Sequence, residues 1–182
     1  MLLASLGAAV FILSLGALDG VTRGAVDLPT LMPPFGASTV IVFYAPDSAA
    51  SRAWSVLVGH LGSALVATAV LLLMPASPVA VQAALAVAGA GVWMVLSKSV
   101  HPPGGATALL ATLGGHKLGV GAILLPLLAG CVSLVSIRWV LDRGIGLWSR
   151  FSLRSGDFEL GSESYGELGA QAQYNPRPGS LR

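Results

Sequence analysis

The sequence has little charge and almost no cysteine. Only 10% of its 182 residues are charged, against about a quarter in an ordinary soluble domain, and this excludes a water-soluble monomer. Cys131 is the single cysteine, so neither an internal disulfide nor a metal site built from several cysteines can form. The formal net charge of +2 is too small to indicate a nucleic-acid partner.

Long uncharged runs dominate the first 141 residues. Residues 53–97 carry no charge, and this stretch is about twice the ~20 residues that one spanning helix requires. Four apolar runs predict membrane-spanning helices: residues 2–18, 53–74, 79–97 and 118–141. Pro75 and Pro78 separate the second run from the third and predict a tight hairpin. The expected fold is all-α and polytopic.

Two shorter apolar runs, 34–45 and 103–113, are too short to cross a ~30 Å core as helices. They predict broken or re-entrant half-helices. Both begin with the same local chemistry, Met-Pro-Pro-Phe-Gly-Ala-Ser at 32–38 and His-Pro-Pro-Gly-Gly-Ala-Thr at 101–107, at an offset of 69 residues. We interpret the match as an internal repeat, because the order long, short, long then occurs twice.

The expected organisation is therefore one transmembrane domain, residues 1–141, with repeat halves at about 1–75 and 79–141. Residues 142–154 mix basic, aromatic and apolar side chains, as interfacial segments do. The remainder of the 142–182 segment has few apolar residues and is expected to be a disordered tail.

Two topologies compete for the short segments. If they are re-entrant, only four helices span, and Arg23, Arg52, Lys98 and Lys117 all lie on the face opposite the tail, against the excess of Lys and Arg expected on the cytoplasmic side. If they also cross, the tail face holds six basic residues and the opposite face only Arg23 and Lys117. The six are Arg52, Lys98, Arg138, Arg143, Arg150 and Arg154. We favour the second topology, in which the halves are inverted and the C-terminus is cytoplasmic.

The candidate site lies at the N-termini of the two half-helices. A helix N-terminus carries unpaired N–H groups and about half a positive charge, so it attracts anions. Proline fits the first turn, glycine allows close approach, and the hydroxyl and imidazole groups that follow can donate hydrogen bonds. The predicted substrate-binding residues are Gly36, Ser38, Thr39, His101, Pro102, Pro103, Gly104, Gly105 and Thr107.

Lys98 and His60 are possible accessory residues. Lys98 is also suited to anchoring a helix at the interface, and His60, between Gly59 and Gly62, is better suited to hydrogen bonding between helices. Neither a metal site nor catalysis is expected, because the histidines at 60, 101 and 116 lack ligand spacing and membrane-depth carboxylates are absent. The loop between the last two apolar runs is expected at His116 and Lys117.

The stretch His101-Pro-Pro-Gly-Gly-Ala-Thr-Ala-Leu109 closely resembles the signature of the HPP family of integral membrane proteins. The Phe-Gly-Ala-Ser stretch ending at Ser38, the Gly59-His60 pair and Pro126 also match. The resemblance covers roughly residues 1–141, and family members are described with four spanning helices. Cyanobacterial and chloroplast members are associated with nitrite transport, so the resemblance implies a transporter of nitrite or a similar small anion.

The expected function is thus transport of a small monovalent anion, with nitrite first, by an integral protein of a bacterial inner membrane. No organic cofactor is implied. The expected partners are the anion, the lipid bilayer and a homo-oligomeric copy. Two alternatives stay open: a scaffold or sensor module that transports nothing, and a channel for a small neutral solute.

Overall fold

The computed structural model describes the backbone of residues 2–22 and 31–154. It contains five α-helices: α1 (Leu2–Thr22), α2 (Pro33–Tyr44), α3 (Ala53–Leu73), α4 (Val79–Leu96) and α5 (Pro103–Arg154), with a short 3₁₀ turn at Ala49–Ser51. The chain divides into a unit of Met1–Arg143 and a unit of Gly144–Arg182. The first unit holds every contact described below.

Four helical segments are long and apolar enough to cross a membrane: Leu2–Gly20, Ala53–Leu73, Val79–Leu96 and Ile123–Gly144. They correspond to the four long runs of the sequence, which confirms a polytopic helical membrane protein. Between α3 and α4 the chain turns at residues 74–78, where two prolines end one helix and precede the next.

Helix α2 is the first of the predicted short helices. It has 12 residues, a rise of about 18 Å, and starts with Pro33 and Pro34 in its first turn, where the missing N–H groups cost nothing. The backbone of Met32 is extended, as is usual for a residue before proline. The helix ends at Tyr44, one residue before the predicted boundary.

Helical backbone joins the second short run to the last long run, so the prediction of a non-helical loop at His116 and Lys117 is wrong, although the change of direction that separate runs imply is present. The helical backbone of α5 continues through both residues. Its only internal proline is Pro126, and a Gly-Gly pair lowers helix propensity by about 1 kcal/mol per residue without removing a backbone donor.

Helix α5 nevertheless folds back on itself. Thr107 Oγ1 lies 2.6 Å from His60 Nδ1, the His60 ring centroid lies 5.5 Å from that of Phe35, and the Phe35 ring packs directly on Gly130. A straight helix would separate Thr107 from Gly130 by about 35 Å. The chain therefore reverses direction between these two residues.

The two short segments leave a common level in opposite directions. Helix α2 runs towards the end of the bundle where α3 begins. Near the end of α2, the Val42 carbonyl accepts a hydrogen bond from Arg138 Nη1 (2.6 Å), and the Arg138 side chain lines one cavity together with Ala53, the first residue of α3. The first part of α5 runs the other way, because Thr107 lies beside His60 while Ala111 shares an apolar cluster with Ala67, deeper along α3. This is the geometry of the topology in which both broken segments cross.

Two apolar clusters hold the bundle together. The larger one buries aromatic and branched side chains from α1, α2, α3 and the later part of α5, including Phe11, Leu15, Phe35, Val56, Leu127 and Leu134. The smaller one is built from Ala67, Ala86, Ala90, Ala108, Ala111 and Ile123. Small residues let helix backbones approach closely in a membrane.

Residues 155–182, which include the predicted disordered tail, lie outside the described residues.

Candidate functional site

Four polar side chains from both halves of the chain meet inside the bundle and form what we call the polar cluster: Ser38, His60, His101 and Thr107. Each has at most 1% of its surface exposed. Thr107 Oγ1 is 2.6 Å from His60 Nδ1, and His60 Nε2 is 2.8 Å from Ser38 Oγ. Ser38 Oγ is in turn 2.9 Å from His101 Nε2, and His101 Nδ1 is 2.7 Å from the carbonyl oxygen of Ala50.

The internal repeat explains how the two hydroxyls are placed. Ser38 Oγ bonds the Pro34 carbonyl at 3.1 Å, and Thr107 Oγ1 bonds the Pro103 carbonyl at 3.3 Å. Each hydroxyl thus lies one turn after the proline that opens its half-helix. The two equivalent hydroxyls bond opposite nitrogens of His60, so the ring of His60 joins the two half-helices.

Only one arrangement of protons satisfies the contacts that link Thr107, His60, Ser38, His101 and Ala50 while both histidines are neutral. In it the single hydroxyl hydrogens of Ser38 and Thr107 go to histidine nitrogens, so the longer contacts with the Pro34 and Pro103 carbonyls compete for these hydrogens. The Ala50 carbonyl can only accept, so His101 Nδ1 donates to it and His101 Nε2 accepts from the Ser38 hydroxyl. Ser38 Oγ then accepts from His60 Nε2, and His60 Nδ1 accepts from Thr107. All hydrogen bonds point the same way, from Thr107 to Ala50.

Close backbone packing brings His101 to this position. A Cβ on Gly59 would lie 2.8 Å from His101 Cβ, so only glycine lets the segment before α5 pass α3 here. Gly104 packs in the same manner, since its Cβ would lie 2.8 Å from Ser63 Oγ. The backbone N–H of His101 bonds Met94 Sδ at 3.4 Å.

The other predicted site residues lie apart from the cluster. Thr39 Oγ1 donates to the Phe35 carbonyl of its own helix at 2.6 Å, and Lys98 and Pro102 are exposed. A Cβ on Gly36 or Gly105 would meet no atom within 4 Å in the described part of the chain. Pro103 is buried and contributes its carbonyl to Thr107.

His60 bonds side chains on two other helices, as its glycine-flanked position predicted. No sequence pattern indicated the Ala50 carbonyl, because any residue supplies a carbonyl and only the tertiary fold brings this one to His101. Phe35 stood inside the repeat motif, and its contact with His60 follows from its position three residues before Ser38, on the same face of α2. Met94 carried no signal either.

The cluster contains no carboxylate, lysine or arginine side chain and is internally satisfied. Among the described residues, every buried side-chain nitrogen or oxygen has a hydrogen-bond partner. A ligand can therefore enter only by replacing internal bonds, and Ser38, with bonds to both histidines, is the group whose rotation frees most of them. With Ser38 rotated, the Ser38 hydroxyl of α2 and the His60 Nε2–H of α3 are the donors that the cluster offers to a small acceptor.

Comparison with known proteins gives two kinds of match. The family described as HPP, transmembrane region, matches residues 1–148. One transmembrane protein of Dictyostelium discoideum is 36% identical over 116 residues, which cover 62% of this chain and 37% of that protein. A second from the same organism is 34% identical over 126 residues, covering 66% and 44%. The chain thus spans less than half the length of these relatives, and no solved structure matches it.

Proposed function

Because the chain belongs to the family of the HPP transmembrane region, we propose that it transports a small monovalent anion through the polar cluster. One observation carries the proposal: two half-helices opened by proline leave the level of His60 in opposite directions, and their equivalent hydroxyls both bond this ring. Paired broken helices in two repeats are typical of transport sites near the bilayer midplane. The resemblance to nitrite-transporting relatives makes nitrite the first candidate.

The chemistry of the cluster suits a small anion. The first turns of α2 and α5 add the partial positive charge of their N-termini. When Ser38 turns away from the histidines, its hydroxyl and the His60 Nε2–H become donors for a ligand oxygen. Thr107, on the opposite half-helix, donates to His60 Nδ1 and so keeps the Nε2–H of this ring available.

The absence of a formal charge in the cluster favours a proton as the coupling ion. Burying an unpaired anion in a low-dielectric site is expensive. Protonation of His101 at Nε2 would neutralise the anion and turn this nitrogen from an acceptor into a donor, while Nδ1 stays bonded to Ala50. We therefore propose that anion and proton enter together.

The test is nitrite uptake into proteoliposomes, with nitrate, formate and bicarbonate as competitors. We expect saturable uptake that His101→Ala abolishes and that Thr39→Val retains, since the Thr39 hydroxyl bonds its own helix. Absence of uptake for every anion, in protein that is folded, would contradict the proposal and support a scaffold or sensor. Uptake of a neutral solute that ignores the membrane potential would support a channel.

The distance of 2.9 Å between Ser38 Oγ and His101 Nε2 also fits a nucleophile and its base. We propose that the pair is not catalytic, because the Ser38 hydroxyl is fully buried in the second turn of α2 and engaged by three partners. A serine-reactive fluorophosphonate should leave the protein unlabelled. Labelling that Ser38→Ala removes would contradict this and favour an enzyme.

The membrane and the assembly state belong to the same proposal. We expect the protein in a bacterial inner membrane, as a homo-oligomer that uses the outward face of α4, where Ala84 and Ala88 are exposed and permit close helix contact. Light scattering of the purified protein in detergent measures the number of copies. A monomer that transports nitrite would contradict the oligomer and leave the transport proposal intact.

A further inference from the structure

A second polar feature lies at the end of the bundle where α2 ends and α3 begins. It is a cavity of about 290 Å³, which we call the arginine cavity. Its walls are Val42, Pro46, Ser51, Arg52, Ala53, Val135, Arg138, Trp139 and Asp142. None of these residues belongs to the polar cluster.

The structure fixes one of the two arginines. Arg138 Nε lies 2.8 Å from both carboxylate oxygens of Asp142, and its Nη1 donates to the Val42 carbonyl at 2.6 Å. These bonds leave Nη2 with both of its hydrogens for a ligand. Held from two sides, the guanidinium loses less conformational freedom on binding than a free one would.

The second arginine is uncompensated. Arg52 is exposed, and within residues 2–22 and 31–154 its side chain has no hydrogen bond or ion pair to another described residue. With one aspartate against two arginines, the walls carry a formal charge of +1. The first turn of α3, which follows Arg52, contains no acidic residue, so nothing in that turn offsets this charge.

We propose that the arginine cavity binds an oxyanion between Arg52 and Arg138. Guanidinium groups recognise phosphate and carboxylate oxygens through charge-assisted hydrogen bonds. Two sources share this chemistry: the phosphate of an anionic lipid and a small anion free in solution. Trp139 is 57% exposed and carries Arg143 at 4.9 Å from its ring, a pairing suited to the headgroup level of a membrane.

The test is binding by the full chain in nanodiscs, which is separate from any transport measurement. In discs of phosphatidylcholine, inorganic phosphate and nitrite are titrated while the melting temperature is followed, because a ligand of the folded state raises it. In discs that also contain phosphatidylglycerol, native mass spectrometry counts the retained anionic lipid. Arg52→Gln is the test variant, and Lys98→Gln is the matched control, because Lys98 is exposed but does not line the cavity.

We expect Arg52→Gln to weaken binding about tenfold in at least one of the two experiments, the effect of losing one charged hydrogen-bond partner, and Lys98→Gln to bind like the unmodified chain. An effect on phosphate or nitrite alone identifies a free anion, and one on phosphatidylglycerol alone identifies a lipid headgroup. Binding in neither experiment, or an equal loss in both variants, would overturn the proposal. Because Arg52 is exposed, the Arg52→Gln variant should have the same melting temperature without ligand as the unmodified chain. This comparison separates lost binding from misfolding.

Discussion

At the scale of single residues, two neighbouring hydroxyls on α2 have different roles. The Ser38 hydroxyl bridges the two histidines of the polar cluster, whereas the Thr39 hydroxyl bonds only its own helix. Ser38→Ala leaves His60 Nε2 and His101 Nε2 without a partner, and an unsatisfied buried group costs about 1–3 kcal/mol. We expect a loss of at least ~2 kcal/mol in unfolding free energy and no nitrite uptake. Thr39→Val, which removes only a bond to Phe35 of the same helix, should change both quantities little. Denaturant titration and uptake measure the two variants, and equal effects would contradict the bridging role.

The protonation of His101 sets the expected pH dependence of uptake. If the protonated ring enters the transport step, uptake falls as pH rises, approaching about tenfold per pH unit where few rings are protonated. His101→Gln, which cannot take up a proton, should show a weak and flat response. Initial rates between pH 5.5 and 8.5, at ~0.5-unit steps and with a clamped membrane potential, measure this. Rates independent of both pH and an imposed proton gradient would rule out proton coupling.

The sequence could predict part of this cluster. Ser38, His101 and Thr107 follow from the repeated Pro-Pro motif, and His60 from being an ionisable group in an apolar run. The sequence could not separate the roles of the glycines, because close packing at Gly104 and open space at Gly105 depend on which helix lies opposite. Nor could it show that Thr39 bonds its own helix.

At the scale of helices, two glycines test how α3 and α4 pack. A Cβ on Gly62 would overlap the indole of Trp93, whose Nε1 donates to the Val58 carbonyl at 3.2 Å, whereas a Cβ on Gly91 meets no atom within 4 Å in the described part of the chain. We expect Gly62→Ala to lower the melting temperature in detergent, since overpacking typically costs about 1–3 kcal/mol. Gly91→Ala should leave it unchanged or raise it, as alanine is the better helix former. The reverse order would contradict the packing.

The reversal within α5 can be tested by cross-linking. Ser14 Oγ on α1 lies 3.0 Å from Ser133 Oγ on α5. With Cys131 replaced by alanine, the pair Ser14→Cys and Ser133→Cys should form a disulfide under mild oxidation. The pair Ser5→Cys and Ser133→Cys should not, because Ser5 lies about 13 Å away along α1. Electrophoretic mobility reads out both pairs, and equal cross-linking would contradict the contact.

Helix boundaries were the most predictable features, because proline and the ends of apolar runs act locally. Helix α2 starts one residue before the predicted Pro34, and α3 and α4 end within a residue of the predicted positions. The continuity of α5 was missed because a drop in hydrophobicity at His116 and Lys117 resembles a loop, although neither residue opposes a helix. The change of direction between the two runs of α5 was predicted from this drop, whereas the contacts of α5 with α2 and α3 depend on the tertiary fold and no local pattern encodes them.

At the scale of the whole molecule, the contacts bring Arg52, Lys98 and Arg138 to one end of the first unit. Trp54 Nε1 donates to the Ser97 carbonyl at 3.1 Å, which joins the start of α3 to the end of α4 beside Lys98. Arg52 and Arg138 line one cavity at the same end. Since cytoplasmic flanks are rich in Lys and Arg, we expect this end to face the cytoplasm. The opposite end, at the hairpin between α3 and α4, has no charged residue from 74 to 78.

This orientation predicts which positions a membrane-impermeant maleimide can reach in intact cells. With Cys131 replaced by alanine, single cysteines are placed at Ala49, Ala76 and Arg182. If both broken segments cross, Ala49→Cys and Arg182→Cys lie on one side and react only after permeabilisation, whereas Ala76→Cys reacts in intact cells. If the broken segments are re-entrant, Ala49→Cys and Arg182→Cys lie on opposite sides, because α2 then returns to the face it entered from. Ala49 and Ala76 are both exposed, so a difference in labelling reports the side of the membrane rather than burial. If the maleimide labels only one of Ala49→Cys and Arg182→Cys in intact cells, the two positions lie on opposite sides and the inverted repeat is excluded. The meeting of two opposed half-helices, on which the anion site depends, would then be excluded as well.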